Sequence, residues 1–182
     1  MKTIIIFENG NTDKLIYDDI PEPVCSDDQI KIKIMATSIN HLDLWVRKGL
    51  PGIRNKLPII PGSDGAGVIT EIGNNVKKFA IGEDVIIQPG IYCGFCKFCK
   101  SGNENFCIKY KILGENVNGT HVEYLCLNEN NVYKMPSHLS YEEAASMPLV
   151  FMTSYFMIKK RAILKENEFI LIYGGTSGVG LA

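Results

Sequence analysis

No apolar run in this sequence approaches the ~20 residues that a helix needs to cross a bilayer. The N-terminal MKTIIIFENG has a short apolar core that breaks into a turn too early for a secretion signal. There is no surplus of positive charge either, with 19 Lys and Arg against 20 Asp and Glu. Neutralising phosphates takes a concentrated excess of cations, so a general nucleic-acid binder is excluded. Internal repeats and low-complexity segments are absent. With 46% apolar and 21% charged residues, the composition also excludes a disordered or fibrous chain. These absences lead us to expect a soluble, cytoplasmic protein that has no membrane or nucleic-acid partner.

What is present is a chain of 182 residues, long for one domain and short for two. A domain near this size buries roughly 70% of its unfolded surface, enough for a real core. The first 135 residues look β-rich. IKIKIMA (30–36) alternates in side-chain type, while GVITEIG (67–73), DVIIQPG (84–90) and HVEYLCL (121–127) are short runs closed by turn residues. Strands at this spacing suggest a barrel or sandwich. The pattern changes at Ser140, which forms a capping box with Glu143. A helical stretch follows, and Pro148 should end or kink it. FILIYGG then resembles a buried strand running into a glycine turn. The chain is expected to stop inside a second domain, with self-association or disorder from about residue 165 because that strand lacks neighbours.

The six cysteines are unevenly spread. Cys93, Cys96, Cys99 and Cys107 crowd into YCGFCKFCKSGNENFC, with gaps of two, two and seven residues. Four thiolates suit tetrahedral zinc, and C-x-x-C pairs turn two sulfurs toward one ion. The compact iron–sulfur pattern closes with C-x3-C-P, whereas here the last gap is longer and Ile108 follows. A dithiol redox pair would leave two cysteines unused. With all four positions filled by protein, the zinc would be structural. Cys25 and Cys126 stand alone, and Cys126 reads as a small buried apolar residue.

This four-cysteine lobe, set in a β-rich half and followed by a dinucleotide-type turn, resembles the medium-chain dehydrogenase/reductase superfamily. The landmarks NHLDLWVRKGLPG, PIIPGSDGAGVITEIG, VKKFAIGEDVI, GTHVEYL and PSHLSYEEAASMPLVFMTSY occur in the expected order. The resemblance implies a mainly β fold with a few helices. Residues 1–145 would form a GroES-like β-barrel catalytic domain carrying a structural zinc lobe at about 90–110. Residues 146–182 would hold linker helices and the first strand and turn of an α/β Rossmann domain.

Carried over position by position, the resemblance also implies a departure. Zinc alcohol dehydrogenases hold their catalytic metal on a Cys, a His and a later Cys or acidic residue. Those positions align with Asn40, Ser63 and a place near Leu149, with Asp64 where a Glu would stand and Leu42 replacing the proton-relaying hydroxyl. Asn, Ser and Leu cannot make a tight zinc site. The structural zinc is thus expected to be kept and the catalytic zinc lost, as in the quinone oxidoreductase and enone reductase branch.

Asn40 and Asp43 are then the catalytic candidates: Asn40 as an oxyanion donor or nicotinamide anchor, Asp43 as a supporting or turn-capping carboxylate. The resemblance puts His41, Thr153, Gly175, Ser177, Gly178 and Gly180 at an NAD(P) cofactor. Gly175 would make the tight turn and Gly180 the close helix–strand contact. Trp45 reads as core. Substrates would be small molecules, and a homo-oligomer is expected. The alternatives are an alcohol dehydrogenase with unusual zinc ligands among His41, Asp43 and Asp64, or a non-catalytic zinc-binding fragment. The chain alone is expected to be inactive.

Overall fold

The computed structural model describes residues 1–49 and 56–182, so the part of the NHLDLWVRKGLPG landmark from residue 50 on lies outside it. The centre of the fold is an antiparallel five-stranded sheet in the order β8-β3-β4-β5-β9. Its strands are β3 (Gln29–Thr37), β4 (Gly65–Ile72), β5 (Asp84–Ile87), β8 (Tyr124–Asn128) and β9 (Val132–Lys134). The alternation in IKIKI sets the register. Ile30 and Ile32 are fully buried, opposite Leu127 and Leu125 on one side and Ile72 and Ile69 on the other. Lys31 and Lys33 thereby fall on the opposite face, because side chains alternate along a strand. Val85, Ile87, Leu113 and Val132 complete the core that the curled sheet encloses. Burying each such side chain contributes about 1.5–3 kcal/mol.

Two hairpins flank the sheet. β1 (Lys2–Ile5) pairs with β2 (Ile16–Asp19), and Thr3 bridges to Val122 beside β8. β6 (Gly90–Ile91) pairs with β7 (Lys111–Ile112), which makes the stretch between them a closed excursion. That excursion is the cysteine lobe, with the short helix α2 (Lys97–Lys100) and a tight 3-10 turn at Glu104–Phe106. After β3, α1 (His41–Lys48) turns its Val46 into a small cluster with Ile6 and Ile59.

The helical change at Ser140 is present. The Ser140 hydroxyl accepts from Glu143 N and the Glu143 carboxylate accepts from Ser140 N, opening α3 (Tyr141–Ala145). Ala144 and Ala145 are small enough to lie against Ala66 of the sheet. The helical stretch is interrupted at Pro148 as expected: α3 ends before it, and Pro148 takes the first position of α4 (Pro148–Tyr155), where its missing N–H costs nothing. A π-helical segment, Phe156–Ala162, continues it.

One local expectation is corrected here. Phe169–Tyr173 is not a buried strand: it pairs with no other segment, and Phe169 and Tyr173 are 102% and 90% exposed. A strand needs partners for its backbone groups, and among the described residues none lies beside this one. The glycine turn after it does form and leads into α5 (Gly178–Leu181).

Candidate functional site

In the lobe, the tight turns of C-x-x-C bring the four thiols together. Cys93 and Cys99 sulfurs are 3.9 Å apart, Cys96 and Cys99 3.5 Å, and Cys93 and Cys107 3.5 Å. All four lie within 4.8 Å of one another. A zinc ion with Zn–S bonds of about 2.3 Å has sulfur–sulfur edges of about 3.8 Å in a tetrahedron. The spacing fits that ion, and it is far too long for disulfides. Backbone donors face the sulfurs: Cys93 N and Lys109 N each donate to Cys107 Sγ, at 3.4 and 3.3 Å. The hydrogen bond from Cys99 N leads the causes that push the Cys96 thiol down to about 6, whereas burial pushes Cys99 up to about 12. Gly94 and Gly102 hold φ of +77° and +69°, the left-handed backbone that lets the lobe turn.

The second constellation centres on Asp64, which is fully buried. β3 ends and α1 begins over it, while Pro61–Ser63 delivers it to the head of β4. Glycine permits that approach: a Cβ on Gly119 would fall 1.9 Å from Gly62 O, and Gly62 has φ of +95°. The Asp64 carbonyl accepts from the hydroxyls of Thr37 and Thr120, both at 2.7 Å. Its carboxylate accepts from Asn40 Nδ2 (2.9 Å), Ser38 Oγ (3.2 Å) and Leu149 N (3.0 Å). Burial raises the pKa of Asp64, and the donors from Asn40, Leu149 and Ser38 pull against it. Asn40 and Leu149, two of the three positions the family resemblance places at a catalytic metal, therefore do converge, joined by hydrogen bonds to the carboxylate of Asp64, which stands where the family's Glu would. Ser63 does not join them, because its hydroxyl donates to Leu113 O at 2.8 Å.

Asp43 is also committed. At the third position of α1 it accepts from Asn40 N at 2.7 Å, and its other oxygen accepts from Gly62 N at 2.9 Å. The carboxylate thus ties the helix start to the loop that carries Asp64. His41 is exposed and leans on Trp45, with ring centroids 5.8 Å apart. Trp45, expected in the core, is 50% exposed, because Val46 takes the inward position.

A cleft of about 470 Å³ opens between the lobe and α4, lined by Gln88, Tyr110, Leu149, Thr153, Phe156 and Lys160 among others. Leu149 links this cleft to the Asp64 knot through its backbone. Thr153 faces the cleft and donates its hydroxyl to Leu149 O at 2.7 Å. In the glycine turn the left-handed residue is Gly174, with φ of +73°, and not Gly175. Ser177 Oγ accepts from Gly180 N at 3.1 Å, and a Cβ on Gly180 would sit 2.3 Å from Gly174 O. Gly178 packs near Val150, and Ser154 Oγ holds Val179 O at 2.8 Å, which fastens the turn to α4.

Sequence reasoning missed two things. The three donors gathered by Asp64 come from residues 38, 40 and 149, and nothing in the spacing of those residues signals it. Cys25 and Cys126, taken as isolated, have sulfurs 3.0 Å apart.

Comparison with known proteins bears on the family and the fold. A family model described as the alcohol dehydrogenase GroES-like domain matches residues 26–137. An alcohol dehydrogenase of Geobacillus stearothermophilus is 35% identical over 158 residues, covering 86% of this chain and 46% of its own length. A quinone oxidoreductase of Homo sapiens is 29% identical over 183 residues, covering 100% of this chain and 48% of its own length. A cobalt- and zinc-bound thermostable alcohol dehydrogenase from Pyrobaculum aerophilum superimposes with a TM-score of 0.90 at 26% identity, over 100% of this chain and 54% of its own. The chain spans about half the length of the curated relatives it matches.

Proposed function

The chain belongs to the alcohol dehydrogenase GroES-like domain family, and from that premise we propose that it serves NAD(P)-dependent hydride transfer to quinones or activated C=C or C=O bonds, with one structural zinc and no catalytic zinc. The observation that carries this reading is the Asp64 knot. Of the three positions where the resemblance puts metal ligands, Asn40 and Leu149 instead donate a side-chain amide and a backbone N–H to the carboxylate of Asp64 beside the third. Neither an amide nor a backbone N–H is a competent zinc ligand, since zinc takes thiolate, imidazole or carboxylate. Asp64 is the one donor of that kind there, and both its oxygens are occupied.

The remaining roles follow from placement. Cys93, Cys96, Cys99 and Cys107 hold the zinc. The cofactor, when bound, supplies the hydride. Gly175, Ser177, Gly178 and Gly180 form its phosphate turn, with Gly180 closing the turn so tightly that no side chain fits, and His41 and Thr153 flank it. Asp64 can accept only from Asn40's NH₂ group, so it fixes that amide. The second N–H of Asn40 is left to stabilise negative charge that develops on a substrate oxygen. Asp43 steadies the start of α1 beneath it. On this reading residues 1–145 are the catalytic domain and 146–182 belong to the cofactor domain, and the assembled enzyme is a homo-oligomer. The sequence match to alcohol dehydrogenases keeps one other reading in play, metal-dependent alcohol oxidation.

Zinc counted per chain on the purified protein separates the two. One zinc per chain, lost together with the lobe cysteines, is the expected result. Two zincs, the second lost on substituting Asp64, would overturn the proposal in favour of metal-dependent alcohol chemistry.

A further inference from the structure

We infer that Cys25 and Cys126 form a disulfide-forming pair that staples the segment between β2 and β3 to the edge strand β8, separate from the zinc lobe. Four of the six cysteines lie in the lobe, and the fold brings the other two together across 101 positions of sequence. Both are free thiols, partly exposed, and their sulfurs are 3.0 Å apart. Closing that distance to a bond of about 2.05 Å takes a movement of about 1 Å. Cys25 sits in an irregular segment that can supply it. Cys126 is held rigidly in β8 opposite Lys31 of β3. The lobe sulfurs gather around one another instead, and zinc would hold them as ligands.

The surroundings give the pair a definite character. Burial raises both thiols, Cys25 to about 12. Lys31, ion-paired with Glu71 at 2.6 Å, favours the thiolates, and Glu71 opposes them. Thiolate is therefore scarce, and both formation and cleavage of the bond are slow, because a thiol of high pKa is also a poor leaving group. The pair thus acts as a clamp that, once closed, resists reduction. The oxidant is a low-molecular-weight disulfide. One cysteine thiolate attacks it, expelling one small thiolate and leaving a mixed disulfide. The second cysteine thiolate attacks the protein sulfur of that bond and expels the other small thiolate. Two protein thiols lose two protons and two electrons, and the small disulfide becomes two thiols.

The test is incubation of the zinc-loaded protein with glutathione disulfide, followed by peptide mapping without reductant, thiol titration and zinc analysis. We expect a cross-linked peptide joining Cys25 to Cys126, a loss of two titratable thiols per chain and unchanged zinc. In Cys25→Ser the cross-link should vanish and Cys126 should stop as a glutathione adduct. Recovery of both cysteines in the unsubstituted protein as free thiols or as separate glutathione adducts would overturn the inference. So would a cross-link from either one to a lobe cysteine.

Discussion

Substituting Asp64 by Asn tests the knot directly. The amide keeps the shape of the carboxyl and removes its charge. In the folded protein burial raises the Asp64 pKa against the pull of Asn40, Leu149 and Ser38, so folding favours the protonated form. The folded state then holds a proton that the unfolded chain, titrating near 4, has already released. Stability from this group is fully present below that unfolded value and is lost as pH rises through the folded one. At acid pH the neutral carboxyl and the amide are near equivalents, and Asp64→Asn should leave stability almost unchanged. At neutral pH only the unsubstituted protein carries a buried charge. The amide accepts at one oxygen only, so the relief of the buried charge is partly offset by a donor left facing its NH₂ group, and we expect Asp64→Asn to gain on the unsubstituted protein as pH rises, by about 1 kcal/mol or less. Asp64→Leu is the contrast: it takes the acceptor from three donors, Leu149 N, Ser38 Oγ and Asn40 Nδ2, at about 1–3 kcal/mol for each that stays unmet, or about 3 kcal/mol or more in all. Denaturant unfolding followed through the single tryptophan, Trp45, at a series of pH values reads both variants. The zinc lobe's own pH dependence is common to all three proteins and cancels in the differences. If Asp64→Asn becomes more destabilising as pH rises, the hydrogen bonds outweigh burial and the reasoning fails.

Three further outcomes are expected. Cys107→Ser should reduce bound zinc to near zero by elemental analysis and open the segment 93–107 to proteases, since the ion contributes ~10 kcal/mol or more to ordering such loops in small zinc peptides. Gly119→Ala must displace backbone, because its Cβ would meet Gly62 O at 1.9 Å. Thermal unfolding should show a loss of about 3 kcal/mol or more, while Gly82→Ala, with open space around it but φ of +90°, should cost less. Ile32→Ala empties a fully buried position in the middle of the sheet and should cost about 2–5 kcal/mol in denaturant titration.

The features that were legible in the sequence are those set by local rules. The alternation in 30–34 fixes a strand and its inward face, because the side-chain period of a strand is two. Ser140 and Glu143 fix a helix start through two reciprocal hydrogen bonds. The cysteine spacing fixes a four-sulfur cluster, because two C-x-x-C turns leave little freedom. Illegible features depend on long-range approach. Cys25 meets Cys126, and Leu149 meets Asp64 across 85 positions, only after the sheet has curled. The reading of Phe169–Tyr173 failed for a related reason. Its composition favours a strand, but strand formation is a property of pairs, and among the described residues no partner stands beside it. Trp45 shows the same limit at one residue's scale: which of two adjacent positions on α1 faces inward is decided by Ile6 and Ile59, not by hydrophobicity.

The knot also bears on metal content in a way that counting ligands does not. To recruit an ion, Asp64 would have to release Asn40 and Ser38, or Leu149 N, each a hydrogen bond to a charged group worth about 1.5–3 kcal/mol. It would gain a single carboxylate–metal bond. His41 cannot assist without leaving Trp45 and turning inward, and Asp43 cannot without releasing Asn40 N or Gly62 N and loosening the start of α1. The lobe faces no such competition. Three of its sulfur pairs already stand 3.5–3.9 Å apart, close to the edge of a zinc tetrahedron, and zinc binding there displaces only thiol protons. The two sites therefore differ in sign: at the lobe the ion completes an arrangement already made, and at Asp64 it would have to dismantle one. That asymmetry is the physical basis for expecting one zinc per chain.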